Sequence, residues 1–151
     1  MSTQTYSPTE IWKGALTGGV INAIINGLIN WFQVKNLDSV LVTDNLISSE
    51  AHTLFSGAVP LAVSLAFILS GVAYATTKIP NKPPYFPRYF LKSLQYAFSA
   101  FGMVVTLGVL WQRWVGSVEI SPVMAAVWAG IIAGIVAFVV NLMVVSDLTK
   151  R

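Results

Sequence analysis

Four long apolar stretches constrain this chain more than any other feature. They cover about residues 11–34, 54–76, 94–110 and 123–145. A helix that crosses a bilayer needs roughly 17 to 25 mostly apolar residues, and each stretch reaches that length. Only 10% of the 151 residues are charged, against roughly 25% in soluble domains. The sequence therefore predicts an all-α integral membrane protein: one membrane domain, residues 1–151, built as a bundle of four transmembrane helices.

The distribution of basic residues predicts the orientation of these helices. If four spans alternate, seven of the nine Lys and Arg residues share one side of the membrane, and Lys35 and Arg113 lie on the other. Segments on the cytoplasmic side carry the excess of Lys and Arg. We therefore expect both termini in the cytoplasm and a plasma-membrane or inner-membrane location. The net charge of +3 comes mainly from these flanking residues, so no nucleic-acid partner is expected.

Three asparagines, Asn22, Asn26 and Asn30, follow one another at four-residue spacing in the first stretch. Successive members turn by only about 40° around a helix, so the amides share one face with Gln33. We call these four residues the asparagine stripe. Lipid offers an amide no hydrogen-bond partner, so the stripe should face other helices or water. The pattern leaves open whether the amides bond neighbouring helices, for about 0.6–2 kcal/mol each, or line a crevice.

Other polar residues are expected to join the stripe in a pocket that opens to the outside. Asn22 lies roughly 21 Å along the first helix, near the membrane midplane, so the stripe runs from there to the outer surface. The predicted pocket-lining residues are Asn22, Asn26, Asn30, Gln33, Ser56, Ser64, Ser99 and Thr106, and the predicted rim residues are Glu50, His52 and Arg113.

The fourth stretch carries small residues at four-residue spacing: Ala126, Gly130 and Gly134. Small side chains let helix backbones approach closely, so this face is predicted to pack against another helix, either within the chain or in a second copy. The link over about residues 115–122 is short, which predicts that the third and fourth helices are antiparallel neighbours.

The spans hold no deep Asp, Glu, Lys, Arg or His, which argues against proton-coupled transport. Cysteine is absent and there is a single histidine, so we expect no metal site, no cofactor and no enzymatic activity. His52 beside Glu50 suggests an acid–base pair or pH sensor, but two solvent-exposed residues near a helix start are the better interpretation.

Together these features predict a small polytopic membrane protein with a polar, uncharged crevice that binds or passes a small polar solute. One chain is too small to enclose a wide pore, so a homo-oligomer within the lipid bilayer is expected. The alternative is a non-transporting subunit, regulator, or immunity or assembly factor. In that case the asparagine stripe packs against partner helices.

Overall fold

The computed structural model describes residues 6–43 and 53–149, and four long helices dominate these ranges. The helices are α1 (Pro8–Val34), α2 (Leu54–Thr76), α3 (Phe90–Trp114) and α4 (Pro122–Thr149). Two short strands, β1 (Val40–Val42) and β2 (Val118–Ile120), lie in the links, and a kinked segment, Tyr85–Tyr89, in which Phe86 has an extended backbone, leads into α3. The prediction of four helices long and apolar enough to span a membrane is confirmed.

The two strands mark one end of the bundle. They pair antiparallel, with Val40 opposite Ile120 and Val42 opposite Val118. The side chains of Val40 and Val42 are both buried, whereas Leu41 between them is exposed, as the two-residue period of a strand requires. We call this the strand end of the bundle. The opposite end, where α1 begins and α4 finishes, is the terminal end.

Helix α4 lies at the centre, packed against both α1 and α2, and α3 packs on α2. Helices α3 and α4 run antiparallel as predicted, since Lys92 near the start of α3 reaches Asp147 near the end of α4, but they are not closely packed neighbours. The short link between them contains β2, which pairs with β1 across the strand end. The alanine-rich faces of α2 and α4 meet instead, with Ala62, Ala66 and Ala133 almost completely buried.

Small residues bring α1 and α4 into backbone contact. A Cβ added to Gly130 would lie 2.7 Å from the carbonyl oxygen of Ala23, and one added to Gly134 would lie 2.9 Å from the Cβ of the same residue. Ala126 of the same face is buried, and its carbonyl oxygen lies beside Gly27. The small-residue face of α4 is thus occupied by α1 of the same chain.

The proline-rich link after α2 folds back on that helix at the terminal end. The Lys82 ammonium donates hydrogen bonds to the carbonyl oxygens of Tyr74 and Thr77, the latter at 2.9 Å, and lies 4.2 Å from the centre of the Tyr74 ring. Carbonyl groups at a helix C-terminus lack partners within the helix, and a cation satisfies them well. Burial lowers the pKa of this amine.

An ion pair joins α3 to α4 near the terminal end. The Lys92 ammonium donates to the Asp147 carboxylate, and the Tyr96 hydroxyl donates to the same oxygen at 3.4 Å. This contact bridges two helices that do not otherwise pack closely.

We expect the Lys92–Asp147 pair to make a small but measurable contribution to stability. A double-mutant cycle with Lys92→Met and Asp147→Asn should give a coupling free energy of about 1 kcal/mol at most, because both side chains are partly exposed. Denaturant unfolding in detergent measures it. Strictly additive effects of the two substitutions would show that the contact contributes nothing.

Candidate functional site: a polar pocket at the strand end

A cavity of about 470 Å³ opens at the strand end, between the last turn of α1, the first turn of α2, the start of α4 and β1. Its walls combine amide and hydroxyl side chains with aliphatic ones. We call it the polar pocket, and its lining residues are Asn30, Gln33, Val34, Val40, Thr53, Leu54, Ser56, Gly57 and Ala125. The structure therefore brings three of the predicted lining residues, Asn30, Gln33 and Ser56, to one site.

Asn30 is the most informative of these residues. Its Oδ1 atom is buried and accepts no hydrogen bond from any described residue. A buried carbonyl oxygen left unpaired costs about 1–3 kcal/mol. The side chain points towards α2, since a Cβ added to Gly57 would lie 4.0 Å from Asn30 Nδ2. Because Asn χ2 has broad, roughly two-fold wells, a half-turn would exchange the two amide atoms and present the oxygen to the pocket.

Asn22 and Asn26 use their amides differently. Asn22 Nδ2 donates to the carbonyl oxygen of Gly18 at 2.8 Å, and Asn26 Nδ2 donates to that of Asn22 at 2.9 Å. Only nitrogen can donate to a carbonyl, so these contacts also fix which amide atom is which. Both side chains bond back to their own helix, an arrangement that neither interpretation of the stripe anticipated, and neither lines the polar pocket.

A further amide, that of Asn141 on α4, lies beside Gly18 and was not among the predicted site residues. A Cβ added to Gly18 would lie 3.2 Å from Nδ2 of Asn141 on α4. The absence of a side chain at Gly18 leaves room for this amide beside the deep end of the asparagine stripe. The only sequence signal was the position of Asn141 on the same helical face as Gly130 and Gly134.

Capping of α2 fixes the hydroxyl groups of the polar pocket. Thr53 Oγ1 accepts from the Ser56 backbone N–H at 3.0 Å, and Ser56 Oγ accepts from the Thr53 N–H at 3.1 Å. This reciprocal pair is a capping box with serine in the place usually held by Glu or Gln. The sequence analysis did not predict Thr53 as a pocket residue. Its position three residues before Ser56, directly ahead of an apolar stretch, could have identified it as the residue that caps α2.

Ser64, Ser99 and Thr106 do not join the polar pocket. All three are exposed on the surfaces of α2 and α3, and no residue of α3 lines the pocket. Ser64 Oγ donates to the Pro60 carbonyl and Thr106 Oγ1 to the Gly102 carbonyl, each at 2.7 Å. A hydroxyl paired with its own helix needs no partner from the core, so these faces can point outward.

Of the three predicted rim residues, only Arg113 lies within the described ranges. It is exposed near the end of α3 and does not line the polar pocket, whereas the exposed side chain of Gln33 does line it. Glu50 and His52 lie outside the described residues. Within residues 6–43 and 53–149, no group of three or more His, Cys, Asp or Glu side chains could hold a metal ion.

No protein-family model matches this chain, and neither a curated protein nor a solved structure shows significant similarity to it.

Proposed function

We propose that this protein is a multi-pass protein of the plasma or inner membrane that binds a small, uncharged polar solute in the polar pocket. The observation that carries the proposal is Asn30, which lines a cavity of about 470 Å³ and whose buried Oδ1 has no hydrogen-bond partner among the described residues. Ligand pockets in proteins typically measure about 300–1,000 Å³. After a half-turn of the amide, a solute in the pocket would supply the hydrogen bond that this oxygen lacks.

The described lining favours a neutral solute over an ion. Its polar groups come from Asn30, Gln33, Thr53 and Ser56, and all the other described lining residues are apolar or glycine. Amides and hydroxyls replace part of a hydration shell without supplying the fixed charge that would compensate a buried ion. Among the described lining residues, no hydroxyl is paired with a histidine, carboxylate or lysine that could act as a general base. We therefore propose a binding role without catalysis.

We propose that the protein binds its solute in the polar pocket and does not conduct it through the bundle. The polar pocket reaches Asn30 but not Asn22 or Asn26, whose amide N–H groups already have partners. Deeper in the bundle, a Cβ added to Gly19 would lie 3.0 Å from the carbonyl oxygen of Gly134, so α1 and α4 are closed against each other there. A continuous path would require these contacts to separate. In the proposed orientation, with both termini cytoplasmic, the polar pocket faces outward.

Solute-dependent thermal stabilisation tests this function. Acetamide and glycerol serve as neutral probes, with sodium acetate as a matched anion of similar size. A ligand that binds only the folded protein raises the unfolding midpoint with its concentration, by RT ln(1 + [L]/Kd) in free energy. We expect saturable stabilisation by at least one neutral probe and none by acetate. Equal effects of all three would contradict selective binding.

A second function fits one specific observation. Helix α1 packs extensively on α4 alone and is the least buried of the four spans. An open flank of this kind suits a partner helix, as expected for a non-transporting subunit or a homo-oligomer. If this is the function, a bulky substitution on the exposed face of α1, such as Ile24→Trp, should release a co-purifying subunit or change the oligomeric mass in detergent. Solute stabilisation should then be absent from the wild type.

A further inference from the structure

A second cavity lies on the other side of the α2 N-terminus and differs completely in chemistry. It has a volume of about 380 Å³ and is bounded by α2, α3, α4 and both strands. We call it the apolar cavity, and its lining residues are Val42, Leu54, Phe55, Leu107, Leu110, Trp111, Ile120, Trp128 and Ile132. Apart from the two indole N–H groups, these side chains contain no polar atoms.

The packing order of the helices creates this space. Because α3 packs on α2 and not on α4, the two helices leave a gap beside the start of α4. Leu107, Leu110 and Trp128 border the gap and are each 42–54% exposed. Val42, Leu54 and Phe55 lie at its inner side and are at most 8% exposed. The apolar cavity therefore extends from the side surface of the bundle into the core.

Polar contacts lie next to the apolar cavity at the strand end. Ser117 Oγ donates to Thr43 Oγ1 at 3.2 Å, and Gln112 Nε2 donates to Ser117 Oγ at 3.3 Å. These residues directly follow or precede the lining residues Val42 and Trp111 and the paired strand β2. The exposed lining residues Leu107, Leu110 and Trp128 place an opening on the side of the bundle, between two helices that are apolar enough to lie in a bilayer.

Hydrocarbon is the occupant that this chemistry fits. A buried water needs about two to four polar partners, and the aliphatic and aromatic walls do not supply them. An empty space of this size would leave its lining without contacts on one side. Trp111 Nε1 is buried away from the cavity, so the walls that an occupant meets are almost entirely apolar.

We propose that the apolar cavity binds one acyl chain of a membrane lipid, inserted sideways between α3 and α4. The proposal is independent of solute binding, since it uses different groups, although Leu54 borders both cavities. A bound chain would complete the packing of α3 against the rest of the bundle at the strand end. Lipid occupancy would thus stabilise the fold.

Native mass spectrometry of protein taken from phosphatidylglycerol vesicles into detergent tests the proposal. Ile132→Trp should fill the apolar cavity, and Val127→Trp adds the same side chain at an exposed α4 position that does not line it. The wild type and Val127→Trp should retain one tightly held lipid. Ile132→Trp should retain it about tenfold less, equivalent to about 1.4 kcal/mol. Equal retention by all three proteins would overturn the proposal.

Leu107→Trp at the exposed mouth provides a second blocking variant if Ile132→Trp does not fold. A chain-length series on the wild type gives a measurement that needs no variant. Dioleoyl phosphatidylglycerol should displace the retained lipid, and the dihexanoyl form should fail to do so. Displacement by both forms alike would show that the headgroup is recognised and would contradict an acyl-chain site.

Discussion

Asn30→Leu is expected to abolish stabilisation of the protein by its neutral solute. Leucine is similar in size but offers no hydrogen-bonding atom, so the solute's own polar groups would be left unpaired in the pocket. We expect affinity to fall at least about tenfold, or about 1.4 kcal/mol. Thermal unfolding across a solute titration measures the change. The unliganded variant should be at least as stable as the wild type, because the substitution removes an unpaired buried carbonyl.

Asn22→Leu is the matched control, since it makes the same substitution in the same helix. Its amide is already bonded to the Gly18 carbonyl and does not line the polar pocket. Solute affinity should therefore stay within about twofold of the wild-type value, less than 0.5 kcal/mol. Equal losses in both variants would mean that the whole asparagine stripe, not the polar pocket, binds the solute. No loss in either would remove Asn30 from the site.

Gly130→Leu is expected to separate α1 from α4 and prevent a stable bundle. Even a methyl group at this position would lie 2.7 Å from the carbonyl oxygen of Ala23 and 3.2 Å from the Cα of Gly27. Both are backbone atoms, so the clash cannot be relieved by rotating a side chain. Gly130→Ala should destabilise the protein by about 1–3 kcal/mol through overpacking, and the larger leucine by more.

Gly102→Ala provides the control for this substitution. Gly102 lies within α3, and a Cβ added there meets no other atom within 4 Å. Replacing an exposed helical glycine by alanine stabilises a helix by up to about 1 kcal/mol, so the two alanine variants should shift in opposite directions. Unfolding by increasing sodium dodecyl sulfate in mixed micelles measures both. Equal stability of Gly130→Ala and wild type would contradict the close α1–α4 contact.

The four long apolar helices could be predicted because length and hydropathy alone define them. The packing order could not, because it depends on which faces match. Strands β1 and β2 are each three residues long and lie far apart in sequence. No turn sequence joins them directly, so their pairing could not be predicted. In the observed packing order α3 lies on α2, no α3 residue lines the polar pocket, and neither Ser64 nor Thr106 reaches it. Helical periodicity identifies a shared face but not what the face contacts.

The asparagine stripe shows the same limit at the level of single atoms. Its spacing correctly places the asparagines on one face of α1, and that face leads to a cavity at Asn30. The spacing does not reveal that Asn22 and Asn26 donate to carbonyls four residues earlier, which the same periodicity makes equally accessible. Asn30 differs because it lines a cavity and its buried carbonyl oxygen has no partner among the described residues.

Side-chain amide NMR on protein labelled with ¹⁵N-asparagine tests solute binding at Asn30 most directly. The Asn30 resonance is assigned from its loss in Asn30→Leu, and the solute that stabilises the protein is then titrated. We predict a saturable shift of the Asn30 amide, with the Asn22 and Asn26 amides unchanged because they remain bonded to α1. An Asn30 resonance that stays fixed while the solute saturates the protein would contradict the proposed site.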